Sequence, residues 1–90
     1  MNIIYKTSFN RDIKKIDNSM IKNEIKLVLE DIKKSKNISD ISNLRKIEGQ
    51  NDGYYRIKLK HNYRIGIKFE KDLVYLVRVL PRKDIYKYFP

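Results

Sequence analysis

Apolar residues recur at helical spacing through the first third of the chain, with lysines on the opposite sides. The two stripes are Phe9, Ile13, Ile16 and Met20, followed by Ile21, Ile25, Val28, Leu29 and Ile32. Apolar residues three or four positions apart form one face of an amphipathic helix. The pattern therefore predicts two helices in a hairpin, each with one buried side. Ser8 or Asn10 is expected to cap the first helix and Asn18 or Ser19 the second, because short polar side chains accept from free N–H groups.

The rest of the chain shows strand patterns separated by polar breaks. The predicted strands span residues 3–7, 44–48, 54–60, 63–70 and 73–80. The predicted breaks are a loop at 35–43, which has room for one helical turn, and turns at 49–53, 61–62 and 71–72. The last strand is apolar on both faces except at Arg78, which indicates an interior strand.

This order, β-α-α-β-β-β-β, predicts an α+β fold as a single domain over residues 1–90. The N-terminal helical hairpin is expected to pack on one face of a small, mainly antiparallel twisted sheet.

The strand that follows the GQNDG turn carries a row of cations on one face. Because successive side chains project to opposite faces, Arg56, Lys58 and Lys60 point away from the apolar row, about 7 Å apart. The next strand repeats the pattern with Arg64 and Lys68, and a hairpin is expected to gather all five cations on one open face. Like charges held in a row without neighbouring acids cost energy, which favours a polyanionic partner. A solvated face with lysine in its usual place is the alternative.

Two further features point to the same face. Gly66 interrupts a strand, which marks either a bulge or a close approach by backbone or ligand. The tail LPRKDIYKYFP adds Arg82 and Tyr86, and on strand parity Arg82 shares a face with Arg78. A guanidinium group grips phosphate with two parallel hydrogen bonds, and an aromatic ring stacks on an unpaired base. The tail therefore favours RNA as the partner.

Composition narrows the class of protein. Lys and Arg number 21 against 11 acidic residues, which gives a net charge of +10 and a pI near 9.8. Such a balance indicates nucleic acid, an anionic membrane surface or an acidic protein as partner. The absence of cysteine excludes disulfides and thiolate metal sites. No segment resembles a signal peptide or a membrane span, so we expect a cytoplasmic protein with no membrane partner. We also expect no metal site and no small-molecule cofactor.

At this point the chain resembles a known family. YYRIKLKHNYRIGI, then an apolar strand, then LPRKDIYKYF, is similar to the RelE/ParE superfamily of type II toxin–antitoxin toxins. The lead-in LRKIEGQNDG is also similar to the family's approach to this hairpin, so the resemblance covers essentially the whole chain. The RelE-like branch is favoured, and it implies a ribosome-dependent, metal-independent endoribonuclease that cuts mRNA in the decoding site. A cognate antitoxin, with an acidic segment, is expected to cover the cationic face or displace the tail.

Position by position, the resemblance implies which residues act. The predicted catalytic residues are Lys58, Arg64, Arg82 and Tyr86, and the predicted RNA-binding residues are Arg56, Lys60 and, from the cation row, Lys68. Cleavage needs a base for the 2′ proton, cations for the charge on phosphorus, and an acid for the leaving oxygen. A lysine among other cations loses its proton more readily, so Lys58 is the candidate base, with Lys60 as the alternative.

Two departures bear on the branch. Several ribonuclease branches place a histidine directly before the C-terminal arginine, whereas this chain has Pro81 there. Its one histidine, His61, lies in a predicted turn, which disfavours branches that depend on two histidines. A ParE-like inhibitor of DNA gyrase without nuclease activity is the first alternative. A non-catalytic RNA-binding relative is the second.

Overall fold

The predicted element order is confirmed in the computed structural model, which describes residues 1–49 and 52–90. The elements are β1 (Asn2–Tyr5), α1 (Thr7–Lys14), α2 (Ser19–Lys34), a 3₁₀ turn (Ile38–Asp40), β2 (Leu44–Lys46), β3 (Tyr54–Lys58), β4 (Tyr63–Glu70), β5 (Leu73–Pro81) and α3 (Arg82–Tyr88). Helix α3 is an addition that the sequence pattern did not predict. No helix in these two ranges combines the length and the apolar character needed to cross a bilayer.

The strands form one mixed sheet in the order β1-β5-β4-β3-β2. Strand β1 pairs with β5 in parallel, and the other three pairings are antiparallel. Strand β5 is therefore interior, as its apolar sequence predicts. Helices α1 and α2 cover one face, which confirms the α+β architecture.

The hydrophobic core lies between those helices and the sheet. Its buried members include Phe9, Ile21, Ile25 and Ile32 from the helices and Ile57, Ile65, Ile67, Leu76 and Val79 from the strands. Full burial of each such side chain stabilises the fold by about 1.5–3 kcal/mol. Met20 was assigned to the first apolar stripe, but it is 59% exposed because α1 ends at Lys14 and Met20 lies on the outer side of α2.

One of the two predicted helix caps is confirmed and the other is wrong. The Asn18 side chain accepts from the N–H groups of Met20 at 2.8 Å and Ile21 at 3.2 Å, which confirms the cap of α2. The cap predicted for α1 is wrong, because the helix begins earlier, at Thr7, and the preceding Lys6 makes no side-chain cap. Ser8 instead donates its hydroxyl to the carbonyl of Val77 and fastens α1 to β5.

The turn between β3 and β4 is one residue longer than predicted. Lys58 lies opposite Arg64, so residues 60–62 form the turn, whereas a two-residue turn at 61–62 was expected. Facing residues in an antiparallel pair project to the same side. The longer turn thus places the apolar rows of both strands together on the core side and the cationic rows together on the other side. A two-residue turn would have mixed them.

Two other turns follow their sequence signals. Lys71 and Asp72 close the β4–β5 hairpin with φ of +52° and +64°, as a two-residue turn requires. Of the turn predicted at 49–53, residues 50 and 51 lie outside the described residues. Gly53 has φ of +96°, and a Cβ there would lie 2.5 Å from the Phe69 carbonyl oxygen, so glycine is required.

Helix α3 folds back over the cationic side of the sheet. Phe89, which follows the helix, is buried at 4% exposure, and a Cβ on Gly66 would come within 2.5 Å of its ring. The Phe89 ring also meets Tyr54 edge to face, with 5.8 Å between ring centroids. The β4–β5 register shifts between Gly66 and Ile67. Gly66 therefore marks both a bulge and a close approach, the two explanations that its position in the sequence left open.

Candidate functional site

A cleft of about 390 Å³ opens on the cationic side of the sheet. Its lining residues are Asn43, Leu44, Arg45, Arg56, Lys58, Arg64, Arg82 and Tyr86. We call this set the cationic cleft. It contains all four residues predicted to be catalytic and one of the three predicted to bind RNA. The side chains converge although they come from four different elements and the segment before β2.

Strand register and helical spacing explain the convergence. On β3, Arg56 and Lys58 lie two positions apart and so share a face, and Lys58 faces Arg64 directly across the β3–β4 pair. Arg82 and Tyr86 are four residues apart in α3, which places them one above the other on the same side of the helix. That side is turned toward the two strands.

Arg45 is the main lining residue that the sequence reasoning missed. It lies on β2 directly opposite Arg56, at the open edge of the sheet. Its neighbour Leu44 joins the core, so the two alternate as a half-buried strand should. That alternation is the signal that could have assigned Arg45 to the cationic side. The alternation alone could not place Arg45 opposite Arg56, because no short turn among the described residues sets the register of β2 against β3.

Tyr86 lies under two guanidinium groups. The Arg56 Cζ atom is 4.5 Å from the ring centroid and the Arg82 Cζ atom 5.9 Å, while Tyr86 is 51% exposed. The Arg82 side chain, within hydrogen-bonding reach of the hydroxyl, lowers the pKa of Tyr86 below its ordinary value. The charges of Arg82, Arg56 and Arg64 add to this, and burial opposes it. The cleft thus favours a negative charge at this oxygen.

The cleft cations have no acidic partners among the described residues. Within residues 1–49 and 52–90, the ion pairs are Arg78–Asp12 at 2.7 Å and His61–Glu24 at 3.3 Å, and neither involves a lining residue of the cationic cleft. The Arg64 side chain donates to its neighbour's carbonyl, that of Tyr63, at 2.9 Å. Five cations are therefore directed at one cavity without a counter-charge, which suits an anionic ligand.

Lys60 and Lys68 are not brought into the cationic cleft. Lys60 lies beyond the end of β3 in the exposed turn. Lys68 is on the cationic side of β4, but its ammonium lies 5.0 Å from the Tyr54 ring. Phe89, packed over Gly66 between Arg64 and Lys68, separates that end of the strand from the cleft. Lys68 thus lies on the cationic side of the sheet as expected, although outside the cleft, whereas Lys60 lies in the turn and not on the strand.

Two assumptions about Arg78 and Arg82 also change. Arg82 begins a helix, so strand parity does not relate it to Arg78. Arg78 is bound by Asp12 and lies outside the cationic cleft.

No group of three or more His, Asp or Glu side chains that could hold a metal is found in the described part of the chain. The cleft lining offers cationic donors, which suit phosphate oxygens and repel a metal ion.

The sheet, the N-terminal helical hairpin and the cationic cleft define a small basic α+β protein with a site suited to an anionic ligand, and comparison with known proteins identifies its family. The family model described as the ParE toxin of the type II toxin–antitoxin system, parDE, matches residues 3–86. The chain belongs to this family of type II toxins.

Individual relatives indicate the RelE-like branch. Toxin RelE3 of Methanocaldococcus jannaschii is 38% identical over 91 residues, covering all of both chains. The crystal structure of the RelB–RelE antitoxin–toxin complex from Methanococcus jannaschii superimposes with a TM-score of 0.80 at 37% identity, covering 97% of this chain and 99% of that one. YafQ from E. coli shares the fold, with a TM-score of 0.74 at 15% identity over 94% and 97% of the two chains. The chain is thus a toxin with a RelE-like sequence and structure.

Proposed function

We propose that this toxin is an endoribonuclease that cuts mRNA on the ribosome and so inhibits translation. The observation that carries the proposal is the cationic cleft itself, in which five cations and Tyr86 surround one cavity without an acidic partner among the described residues. A single RNA phosphodiester is an anion of suitable size for this cavity. Similarity to toxins named RelE supports the same activity.

The proposed reaction needs no metal ion, because the cleft cations neutralise the charge that a metal would otherwise carry. The RNA 2′-oxygen loses its proton to a base and attacks the adjacent phosphorus, the bond to the 5′-oxygen breaks, and that oxygen takes up a proton from an acid, leaving a 2′,3′-cyclic phosphate and a 5′-hydroxyl. The barrier falls when a base removes the 2′ proton and when fixed donors stabilise the extra negative charge on the phosphoryl oxygens.

The geometry supports a role for each of the four residues predicted to be catalytic. In its uncharged form, Lys58, between Arg56 on its strand and Arg64 across the ladder, would accept the 2′ proton. Arg64 and Arg82 would stabilise the five-coordinate phosphorus, with Arg82 nearest the leaving oxygen. The exposed half of Tyr86 would stack on a base and hold the strand in line, which lowers the positioning part of the barrier. Lys60 and Lys68, which lie outside the cleft, would contact the RNA further along its backbone.

Two lining residues supply a phosphate clamp. Arg45 and Arg56 face each other on β2 and β3 and would grip the phosphate next to the one that is cut. Paired guanidinium groups bind phosphate bidentately, which fixes the register of the RNA without reading its bases.

We also infer that a cognate antitoxin neutralises the toxin through an acidic segment. A related toxin has been solved in complex with its antitoxin. The net charge of +10 and the uncovered cationic cleft favour an acidic partner on this side of the sheet.

The direct test uses ribosomes programmed with a defined mRNA. We expect ribosome-dependent cuts whose upstream fragments end in a 2′,3′-cyclic phosphate and whose downstream fragments begin with a 5′-hydroxyl that a kinase labels without prior phosphatase treatment. Free mRNA should stay intact. The Lys33→Ala variant, which removes an exposed lysine at the far end of α2, serves as the matched control and should cut normally. Intact mRNA, or 5′-phosphate ends, would contradict the proposal.

A gyrase inhibitor is the second candidate, because the family model that matches residues 3–86 is described as a ParE toxin. Trapped gyrase–DNA complexes, with mRNA left whole, would favour this function. Retention of Arg64, Arg82 and Tyr86 around one cavity favours the nuclease instead. A relative that only binds RNA would show steep salt dependence without cleavage of mRNA and without gyrase trapping.

A further inference from the structure

The turn at residues 60–62, between β3 and β4, is held from two sides. On one side, the Glu24 carboxylate of α2 accepts from the Lys60 N–H at 2.6 Å and lies 3.3 Å from the His61 ring nitrogen Nδ1. On the other side, the Asn62 carbonyl accepts from the Arg82 N–H at 2.8 Å. The turn therefore joins the helical layer to the first residue of α3.

This junction adjoins three of the proposed catalytic groups. Lys58 and Arg64 face each other on the two strands that lead into the turn. Arg82 is attached to the turn through its backbone N–H. A displacement of the turn would thus move the base and two phosphate-binding groups relative to one another. Tyr86, one helical turn beyond Arg82, would follow.

Glu24 anchors a turn that is otherwise exposed. Asn62 has φ of +63°, a left-handed conformation that asparagine tolerates better than most non-glycine residues, so the turn conformation itself is not strained. Lys60 and His61 are exposed. The Glu24 side chain is only 16% exposed, and its carboxylate reaches the exposed Lys60 N–H at the surface. Because the donor is a backbone N–H, Glu24 fixes the path of the chain itself.

We propose that Glu24 is a positioning residue for the cationic cleft, acting through the 60–62 turn on Lys58, Arg64 and Arg82. The inference rests on the proposed nuclease function. Glu24 does not line the cleft and would touch no part of the RNA. Its contribution is to preserve the alignment of groups delivered by α3 and by two strands, where a displacement of about 1 Å costs up to about a hundredfold in rate.

The experiment compares Glu24→Ala with Glu24→Gln and with the control Glu30→Ala. Glu30 is an exposed acid on the same helix, so its removal changes the net charge equally without touching the turn. In Glu24→Gln, the amide oxygen can still accept from the Lys60 N–H, and the amide group remains next to the His61 ring. Cleavage under single turnover, RNA affinity and melting temperature are measured for each variant on programmed ribosomes.

The expected pattern is a split between rate and binding. Glu24→Ala should lower the cleavage rate about ten- to a hundredfold with RNA affinity within a factor of about two. Glu24→Gln should restore most of the rate, and Glu30→Ala should match the wild type. His61→Ala should have a smaller effect than Glu24→Ala, because the bond to Lys60 persists. Wild-type rate in Glu24→Ala overturns the proposal. Equal losses in the Gln and Ala variants also overturn it, because they would show that charge and not the hydrogen bond matters.

Amide hydrogen exchange provides a second measurement that does not depend on cleavage activity. Glu24→Ala should speed exchange at the Lys60 and Arg82 amides, and Glu24→Gln should not. Unchanged exchange at Arg82 in Glu24→Ala would overturn the coupling through the turn. If wild-type toxin leaves mRNA intact, the proposed function fails whatever the exchange shows, so the two failures are distinguishable.

Discussion

Arg78 and the arginines of the cationic cleft lie on the same sheet and behave in opposite ways. Arg78 donates through Nε at 2.7 Å and through a terminal nitrogen at 3.0 Å to the two oxygens of Asp12. This hydrogen bond to Asp12 raises the pKa of Arg78. Across the sheet, Arg64 and Arg82 have no acidic partner among the described residues and are directed at a cavity.

The difference shows that pairing, and not charge alone, separates a structural arginine from a binding one. Asp12 is buried and also accepts from the Val79 N–H at 3.0 Å, at the point where β5 extends beyond the end of β1. Asp12 therefore supplies a hydrogen-bond acceptor to the edge of β5 at a point where β1 no longer pairs with it. The cleft arginines contact the Tyr86 ring and a backbone carbonyl but no acidic side chain among the described residues, which leaves their charges available to an anionic ligand.

The largest expected effect is the loss of cleavage when the cleft is altered. Lys58→Ala, Arg64→Ala and Arg82→Ala should each lower the single-turnover rate about 10²- to 10³-fold, the usual cost of removing one preorganised transition-state donor. Melting temperatures should stay within a few degrees of the wild type, because these cations pair with no acid in the described part of the chain. Rates are measured on programmed ribosomes, with Lys33→Ala as the control. Near-normal cleavage in all three variants would contradict the distinction between the paired Arg78 and the unpaired cations of the cleft.

The Arg78–Asp12 pair should give the reverse result, a loss of stability without a loss of intrinsic activity. Asp12→Ala leaves Arg78 uncompensated and the Val79 N–H without its acceptor, which should destabilise the fold by about 3 kcal/mol. Urea denaturation measures this, with the exposed Asp17→Ala as the matched control. Cleavage per folded molecule should remain within about twofold of the wild type. A stable Asp12→Ala variant that no longer cuts would mean that Arg78 serves the site.

Much of the fold and half of the site follow from short-range patterns. Arg56 and Lys58 could be assigned to one face because alternation is a local property of a strand. Arg64 joined them through the alternation of its own strand, although the two-residue turn predicted between the strands would have put it on the other side. The α2 cap at Asn18 was readable for the same reason, since the cap and the N–H groups that it satisfies are two and three residues apart.

What the sequence did not reveal depends on contacts between distant segments. Helix α3 is only seven residues long and is anchored by Phe89 on Gly66, a contact between residues far apart in the sequence. Arg45 reaches the cleft through the pairing of β2 with β3, two strands separated by seven residues of the chain, so their register could not be inferred from the sequence. Lys68 has the correct strand parity, yet Phe89 separates it from the cavity, and parity alone cannot show what covers a face.

Gly66 joins the two regions, because it lies opposite Arg56 on β3 and opposite Arg78 on β5. In Gly66→Ala, the new Cβ would overlap the Phe89 ring, which should cost about 1–3 kcal/mol and displace α3 from the cleft. Cleavage should fall because Arg82 and Tyr86 move, while the Asp12 contacts persist. Adding Phe89→Ala should relieve the overlap but also remove the buried ring that anchors α3, so neither wild-type stability nor wild-type activity should return. A Gly66→Ala variant that unfolds no earlier than the wild type would show that the Phe89 contact is dispensable.

RNA binding should separate the two kinds of arginine by salt dependence. Arg45→Ala and Arg56→Ala should each reduce the slope of log affinity against log salt by about 0.7, the value for one lost contact with single-stranded nucleic acid. Arg78→Ala should leave the slope unchanged, because that guanidinium is bound to Asp12. Fluorescence anisotropy of a labelled RNA across a salt series measures all three. An equal change in slope for Arg78→Ala would show that its pairing with Asp12 does not withhold it from RNA.

The smallest expected effect is on the ionisation of Tyr86. The Arg82 side chain lowers the pKa of Tyr86 by stabilising the phenolate, with Arg56 and Arg64 contributing through their charges. One phenolate absorbance step should therefore appear below the ordinary tyrosine value of about 10. Loss of this step in Tyr86→Phe assigns it to Tyr86. Arg82→Ala should move the step to higher pH, because it removes the largest cause of the shift. Arg78→Ala should not move it, because a guanidinium neutralised by Asp12 adds little field at the cleft. Equal shifts of the Tyr86 pKa in the two variants would mean that the tyrosine responds to the total charge of the sheet. The contrast between paired and unpaired arginines would then have no electrostatic consequence at the site.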